Sequence, residues 1–209
     1  MTVNASRKRL SREESRAQTR EGLLDAAKML FARQGFEGSS VEQIAEAAGY
    51  TRGAFYSNFE SKELLLIALI ERCFDDDLNG IAQLQGDLVS VSAGFQEAAD
   101  LEEARHREAH LLKMEFWMCA LRYPVVRAAY AEQHARLRTA IGSLIEAQYA
   151  ALHRPLPAPA DQLAAVTVAL RNGLDSQKLI SPDAVPNDLY GLTLHLLLTG
   201  HAPQQPSTD

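Results

Sequence analysis

Cysteine is scarce in this sequence: 209 residues contain only Cys73 and Cys119. Two cysteines are too few for a disulfide framework or a four-cysteine zinc site. Both stand among apolar residues of predicted helices, so we interpret them as reduced, buried thiols.

Long apolar runs are absent as well, and no stretch approaches the ~18 consecutive apolar residues that a membrane helix needs. The first residues, MTVNASRKRLSREE, are basic but have no apolar run behind them, unlike a secretory signal. We therefore expect a soluble, cytoplasmic protein with no membrane partner.

Alternating β-branched segments are missing too, and glycine and proline fall between helical stretches rather than in hairpins. Hydrophobic residues make up 46% of the chain and charged residues 23%, which is enough apolar material for a core. The sequence predicts an all-α fold of about nine helices. They span 11–34, 41–48, 51–58, 62–79, 87–99, 102–122, 124–152, 161–180 and 187–199.

Motifs of catalysis and metal binding are also lacking. No nucleophile elbow, phosphate-binding loop or dinucleotide glycine fingerprint is found. His106 and His110 have the spacing of two metal ligands on one helix face, but Arg107 replaces the glutamate of HExxH and no third ligand is evident. We expect no catalytic residues, no metal and no cofactor.

Basic residues are outnumbered by acidic ones, 21 to 27, but are concentrated at one end. The chain has a formal net charge of −6, yet its first twenty residues carry six basic and two acidic groups. A cationic end ahead of an acidic body favours an anionic partner for that end, although a solvated tail has the same composition.

Capping residues define the first helices. Serine or threonine precedes the first four, and glycine follows the first two. Ser11 and Glu14 have the spacing of a capping box. The other predicted caps are Ser39 or Ser40, Thr51 and Ser61, with Gly35 and Gly49 as stop signals and Pro124 at a helix start.

The two short helices 41–48 and 51–58, joined at Gly49 and Tyr50, have the pattern of a helix-turn-helix. In that unit the second helix enters a DNA groove while the first braces it. Because Gly53 and Ala54 have the smallest side chains, the second helix can approach a DNA duplex closely.

Side chains of that second helix divide into two groups. Phe55 and Phe59 are expected to anchor it to the rest of the unit. The polar side chains that reach phosphates or bases would be Thr51, Arg52, Tyr56, Ser57 and Asn58.

The run from Leu23 to Leu66 resembles the DNA-binding domain of TetR/AcrR-type bacterial transcriptional regulators. The resemblance lies in AAKMLFARQGFEGSSVEQIAEAAG, in GAFYSNF and in SKELLL. Further on, ALRNGLDSQKLISPDAVP (169–186) is similar to the region where that family's C-terminal helices pair between subunits. Tyr50 departs from the pattern, since many members carry a small aliphatic residue there.

This resemblance implies a set of DNA contacts and a division of the chain. Tyr56 and Lys62 would bind phosphates, and Arg52 would contact a base or a close phosphate; packing for Tyr56 and simple solvation for Lys62 are the alternatives. The residues at or near DNA would be Ser40, Thr51, Arg52, Gly53, Ala54, Tyr56 and Ser57. The expected divisions are a basic flexible arm (1–15), a three-helix DNA-binding domain (16–62), a helical ligand-binding and dimerisation domain (63–202) and a frayed tail (203–209).

The stretch HLLKMEFWMCALRYP (110–124) is the most pocket-like part of the larger domain, because methionine and aromatic side chains form adaptable apolar walls. Plain core packing is the alternative for each residue. The predicted pocket residues are Phe95, His110, Met114, Trp117, Met118 and Tyr123.

The last two helices carry apolar stripes wide enough to face both a core and a second subunit. The resemblance implies that they pair with a partner copy in a four-helix bundle; packing within one chain is the alternative. The predicted interface residues are Leu163, Val166, Leu170, Leu174, Leu189, Leu192, Leu196 and Leu197.

Together these expectations describe a homodimeric transcriptional repressor. It would bind a pseudo-palindromic site on double-stranded DNA and be released by a small apolar or amphipathic ligand. One alternative is a DNA-binding dimer without an inducer. The other is a helical enzyme or carrier whose N-terminal unit only packs.

Overall fold

The structure, a computed structural model, describes residues 11–83, 103–186 and 188–199. Eight α-helices and one short 3-10 turn account for most of these ranges, and no strand occurs in them, which confirms the all-α prediction. The predicted helix 87–99 lies outside the described residues. The elements are α1 (Arg12–Gln34), α2 (Val41–Ala47), α3 (Arg52–Tyr56), α4 (Lys62–Gln83), α5 (Glu103–Arg122), α6 (Pro124–Ala151), α7 (Ala160–Ile180), the 3-10 turn (Pro182–Ala184) and α8 (Leu189–Thr199).

The first helices begin where the capping residues predict. The Ser11 hydroxyl accepts a hydrogen bond from the Glu14 N–H at 3.1 Å, and the Glu14 carboxylate accepts one from the Ser11 N–H at 2.6 Å. Ser40 forms the same reciprocal box at α2, and the Thr51 hydroxyl caps α3. Local hydrogen bonding therefore fixes these starts. α1 includes residues 12–15, which the sequence assigns to the arm; the domain limits themselves stay predictions.

Helices α1 to α4 share one apolar core. Phe55 is fully buried and Phe59 is 4% exposed, which confirms that both anchor α3. Other buried members come from all of the neighbouring segments: Leu23, Leu24, Ala27, Phe31, Phe36, Ile44, Leu65, Leu66 and Leu69. With Phe55 held inward, the opposite side of α3 faces away from the core.

The larger part of the molecule is built around α6, which is 28 residues long. α4, α5 and α7 all pack against it, and α5 also packs against α1. Buried residues of α5, including Leu112 and Phe116, extend the core of the first unit. A second, smaller core joins α6 to the last two helices through Ile145, Tyr149, Ala164 and Leu194.

Both cysteines are free thiols: Cys119 is buried and Cys73 half-buried. Burial raises the pKa of Cys119 to about 12 and also raises the pKa of Cys73. Because the thiolate is the reactive form, neither is a strong nucleophile at neutral pH.

Among the helices of the described ranges, none is both long and apolar enough to cross a membrane.

Candidate functional site

The outer face of α3 presents an arginine and a tyrosine side by side. The Arg52 side chain is 64% exposed, and Tyr56 is 47% exposed. The Arg52 guanidinium lies 5.4 Å from the centre of the Tyr56 ring. The buried Phe55 on the other side holds this pair at the surface.

Glu42, in the first turn of α2, is the partner of Arg52 that sequence reasoning missed. Arg52 Nη1 lies 3.0 Å from Glu42 Oε1. Hydrogen bonding to its own backbone N–H and the charge of Arg52 lower the pKa of Glu42. An ion pair this exposed contributes little to stability. The contact directs the Arg52 guanidinium towards Glu42.

The N-terminal residues of α2 and α3 are exposed. Ser40 and Thr51 lie at the surface with their hydroxyls on the caps. A Cβ added to Gly53 would meet no atom closer than the Thr51 hydroxyl, at 3.7 Å, so the space above Gly53 is open. Ala54 is half-buried.

Two predicted contact residues instead direct hydrogen bonds back to the helix. The Ser57 hydroxyl donates to the Gly53 carbonyl at 2.9 Å, and Asn58 Nδ2 donates to the Ala54 carbonyl at 2.8 Å. Ser57 remains exposed and Asn58 is half-buried. A direct role at DNA stays a prediction for both.

Two arginines of α1 hold the end of α3. Arg16 Nη2 donates to the Ser57 carbonyl at 3.0 Å. The Arg20 guanidinium lies 4.3 Å from the Phe59 ring centre and donates to the Asn58 carbonyl at 3.5 Å. Their four-residue spacing in the sequence places both on one face of α1. They add positive charge beside the exposed face of α3.

Lys62 forms hydrogen bonds with the connection between α1 and α2. Its ammonium donates to the Phe36 carbonyl at 2.8 Å and to the Ser39 carbonyl at 2.9 Å, and it lies 4.1 Å from the Phe36 ring centre. These contacts give Lys62 a bracing role. Its predicted phosphate contact is not tested by them.

Tyr50 packs inside the first unit. It is half-buried, and a Cβ added to Gly22 would approach its ring to 3.0 Å. The large ring therefore occupies space that the bare backbone of α1 provides. This accommodates the departure from the family pattern at position 50.

A cavity of about 550 Å³ lies between α4, α5, α6 and α7. Its size suits a small organic molecule. Its largely apolar wall includes Cys73, Phe74, Met114, Phe116, Trp117, Tyr130, Leu137 and Val168. Its polar groups are Asp77, His110, Lys113, His134, Arg138, Asn172 and Ser176.

Three of the predicted pocket residues, His110, Met114 and Trp117, line this cavity. Met118 and Tyr123 are not in the lining. Met118 is 39% exposed, and Tyr123 follows the end of α5, where helix periodicity no longer sets its direction. Phe95 lies outside the described residues.

Six polar side chains of the cavity form three pairs. Lys113 Nζ lies 2.9 Å from Asp77 Oδ2, and Nε2 of the buried His110 lies 2.9 Å from the Ser176 hydroxyl. In the described part of the chain, no three His, Cys, Asp or Glu residues are grouped closely enough to hold a metal ion.

Arg138 and His134 form the third polar pair. Arg138 Nη1 lies 2.6 Å from His134 Nδ1. Burial and the Arg138 charge lower the pKa of His134, so its ring is neutral at pH 7. Nδ1 then accepts the hydrogen bond from the guanidinium.

Helix α5 also reaches the α1–α2 connection. Glu115 Oε1 accepts a hydrogen bond from the Phe36 N–H at 2.8 Å. The Tyr123 hydroxyl donates to Glu37, and Arg33 pairs with Glu108 at 3.5 Å. One helix thus contacts both the cavity and the unit that presents α3.

The predicted dimer residues lie on α7 and α8, where some are exposed and others half-buried. Val166 is 50% exposed, Leu196 40% and Leu197 43%. The rest are half-buried: Leu163, Leu170, Leu174, Leu189 and Leu192. Their contact with a second subunit stays a prediction.

Comparison with known proteins identifies the first unit. Residues 23–69 match the family model described as bacterial regulatory proteins, tetR family. The HTH-type transcriptional repressor AcnR of Corynebacterium glutamicum is 29% identical over 125 residues, 59% of this chain and 62% of AcnR. The chain spans less than two thirds of the length of the first curated relatives that it matches.

Solved structures share the whole fold. Salmonella enterica GusR superposes with a TM-score of 0.75 at 22% identity, covering 92% of this chain and 98% of GusR. A putative transcriptional regulator from Saccharomonospora viridis, in complex with choline, gives 0.70 at 20% identity, covering 90% of this chain and all of the other. Residues 23–69 therefore match the tetR family model and the corresponding part of these curated regulators, and the chain shares the fold of these solved structures.

Proposed function

We propose that this protein is a homodimeric repressor that binds a pseudo-palindromic operator through two copies of α3 and is released by a small-molecule ligand. The exposed Arg52–Tyr56 pair on a short, well-anchored helix is the observation that carries the proposal. Arginine and tyrosine are suited to phosphate and base contacts in the major groove.

The cavity supports the ligand-controlled form over a dimer without an inducer. It borders α4, which continues from the DNA-binding unit, and α5, which contacts the α1–α2 turn. A ligand changes DNA affinity only if it binds the DNA-competent and DNA-incompetent forms unequally. The choline bound to the Saccharomonospora viridis regulator is consistent with a small-molecule site in this fold.

Operator binding is tested with labelled duplex DNA from directly upstream of the protein's own gene, titrated with purified dimer. Measurements at about 50 and about 200 mM salt, with an unrelated duplex of equal length as control, separate specific from general binding. We expect retention of the specific duplex and a steep loss of affinity at higher salt. Absence of binding by pure dimer at low salt would contradict the proposal and favour a helical enzyme or carrier.

Ligand control is a separate question for the same material. A thermal-shift screen of small molecules finds compounds that raise the melting temperature, since a ligand selective for the folded state stabilises it. We expect some of these compounds to release the bound duplex. Stabilising compounds that never weaken DNA binding would leave a DNA-binding dimer without an inducer.

A further inference from the structure

We propose that the cavity takes an amphipathic carboxylate, whose acid group pairs with Arg138 and whose apolar part lies against Trp117 and Tyr130. This inference rests on the ligand-released form of the proposed function and names the chemical class of the ligand.

Charge balance in the cavity wall is the first argument. Among the described residues, those lining the cavity with a formal charge are Asp77, Lys113 and Arg138. Asp77 and Lys113 lie 2.9 Å apart and neutralise each other. The described part of the wall therefore retains one positive charge, on Arg138.

The surroundings of Arg138 are the second argument. Its hydrogen-bond partner is Nδ1 of His134, a neutral acceptor that leaves the guanidinium charge unbalanced. Within residues 11–83, 103–186 and 188–199, no carboxylate lies at ion-pair distance from Arg138. The planar N–H fork of arginine matches a carboxylate with two parallel hydrogen bonds. A cationic ligand would instead meet a like charge.

The shape and chemistry of the remaining wall supply the third argument. A volume of about 550 Å³ is far larger than a bare carboxylate needs. Phe74 and Tyr130 meet edge to face at 5.5 Å, and Tyr130 stacks on His134 at 5.7 Å, so an aromatic surface leads to the Arg138 end. Trp117, which is 54% exposed, adds a further apolar surface. An acid with a substantial apolar part matches both the apolar wall and the positive charge of Arg138.

Three probes of equal chain length test this inference on the DNA-free protein: decanoate, decan-1-ol and decylammonium, each below its micelle concentration. Trp117 is the single tryptophan of the chain and lines the cavity, so its fluorescence reports binding directly. We expect decanoate to bind about tenfold or more tightly than decanol, because a charge-assisted hydrogen bond adds to the same apolar contact. Decylammonium should bind most weakly.

Variants assign the preference to one side chain. Arg138→Gln should remove the preference for decanoate while leaving decanol affinity within about twofold, as expected for loss of one charged contact. Arg136→Gln is the matched control, since Arg136 is on the same helix, pairs with Asp75 and does not line the cavity. Asp77→Asn removes a negative charge from the wall and should tighten decanoate binding. A general folding defect would lower decanoate affinity in both variants. It would not lower the affinity in Arg138→Gln and raise it in Asp77→Asn.

Equal or weaker binding of decanoate than decanol, or no binding of any probe, would overturn the proposal. A preference that survives in Arg138→Gln would also overturn it, because Arg138 would not be the charge that selects the acid. The DNA titration described above is independent of these results. Decanoate that binds through Arg138 without releasing DNA supports the ligand class and contradicts ligand release by that class.

Discussion

In the proposed DNA complex, Arg52 would exchange its partner Glu42 for a DNA phosphate. Without DNA it pairs with Glu42 at 3.0 Å and lies near the Tyr56 ring. DNA phosphates would displace Glu42, whose own negative charge opposes their approach. We therefore expect the two residues to have opposite effects on DNA affinity.

Substituting Arg52 and Glu42 one at a time tests their expected opposite effects on DNA affinity. Arg52→Ala should weaken operator binding about tenfold or more and relax sequence preference, whereas Glu42→Gln should tighten binding. Fluorescence anisotropy with specific and unrelated duplexes measures both effects. Because both side chains are exposed, the melting temperature should stay the same. Equal operator affinity in wild type and Arg52→Ala would remove Arg52 from the interface.

Lys62 offers a second prediction at this scale. Lys62→Met removes the donor to the Phe36 and Ser39 carbonyls and should lower the free energy of unfolding by about 1–3 kcal/mol. Urea unfolding measures this loss, and Lys28→Met, at an exposed position on α1, is the control. Weakened DNA binding with unchanged stability would instead assign Lys62 to phosphate contact alone.

The sequence predicts residues that act through local hydrogen bonds better than residues that act across the fold. Ser11, Ser40 and Thr51 cap their helices as expected, since each cap involves atoms a few residues away. Lys62 contacts carbonyls more than twenty positions earlier in the chain, and no local pattern contains that information.

Among the elements, α5, like α4, contacts both the cavity and the unit formed by α1 to α4. Residues such as His110 and Trp117 line the cavity, while the Glu115 carboxylate accepts a hydrogen bond from the Phe36 N–H. A shift or rotation of α5 on ligand binding would therefore move the α1–α2 connection, on which Lys62 and the packing of α2 depend.

The Glu115 hydrogen bond tests this connection. Glu115→Ala leaves the Phe36 N–H without its acceptor, so it should reduce the free energy of unfolding by about 1–3 kcal/mol and weaken the effect of ligand on DNA affinity. Glu115→Gln retains an acceptor and should restore most of both properties. Urea unfolding and operator titrations with and without ligand measure them. Full ligand response in Glu115→Ala would show that coupling takes another route.

Element-scale prediction from sequence had a clear limit. Helix lengths and order could be predicted because apolar spacing and caps are local. The residues of the cavity wall could not be predicted, since Asp77, His134 and Arg138 come from α4 and α6 and meet only after the helices pack. The rotation of α5 against its neighbours likewise decided that Trp117, and not Met118, lines the cavity.

For the molecule as a whole, operator binding as proposed requires two copies of the chain. Val166, Leu196 and Leu197 expose apolar surface on the two helices assigned to pairing. A single short helix such as α3 contacts only one half-site, so operator affinity should depend on both subunits.

Val166→Asp tests the pairing surface. A charge at an apolar contact between subunits should shift the protein from dimer to monomer in sedimentation equilibrium and abolish binding to the full operator. Leu121→Asp is the control, because Leu121 is 64% exposed on α5, outside the assigned interface. A Val166→Asp protein that remains dimeric and binds the operator would exclude this surface.

Hydroxyl-radical footprinting of the wild-type protein on its operator measures whether the proposed arrangement, with paired copies of α3 in neighbouring major grooves, is formed. This arrangement predicts two symmetric protected patches whose centres are about 34–36 Å apart, close to one helical turn of DNA, and their loss with Arg52→Ala. A single patch, or protection unchanged by Arg52→Ala, would contradict it.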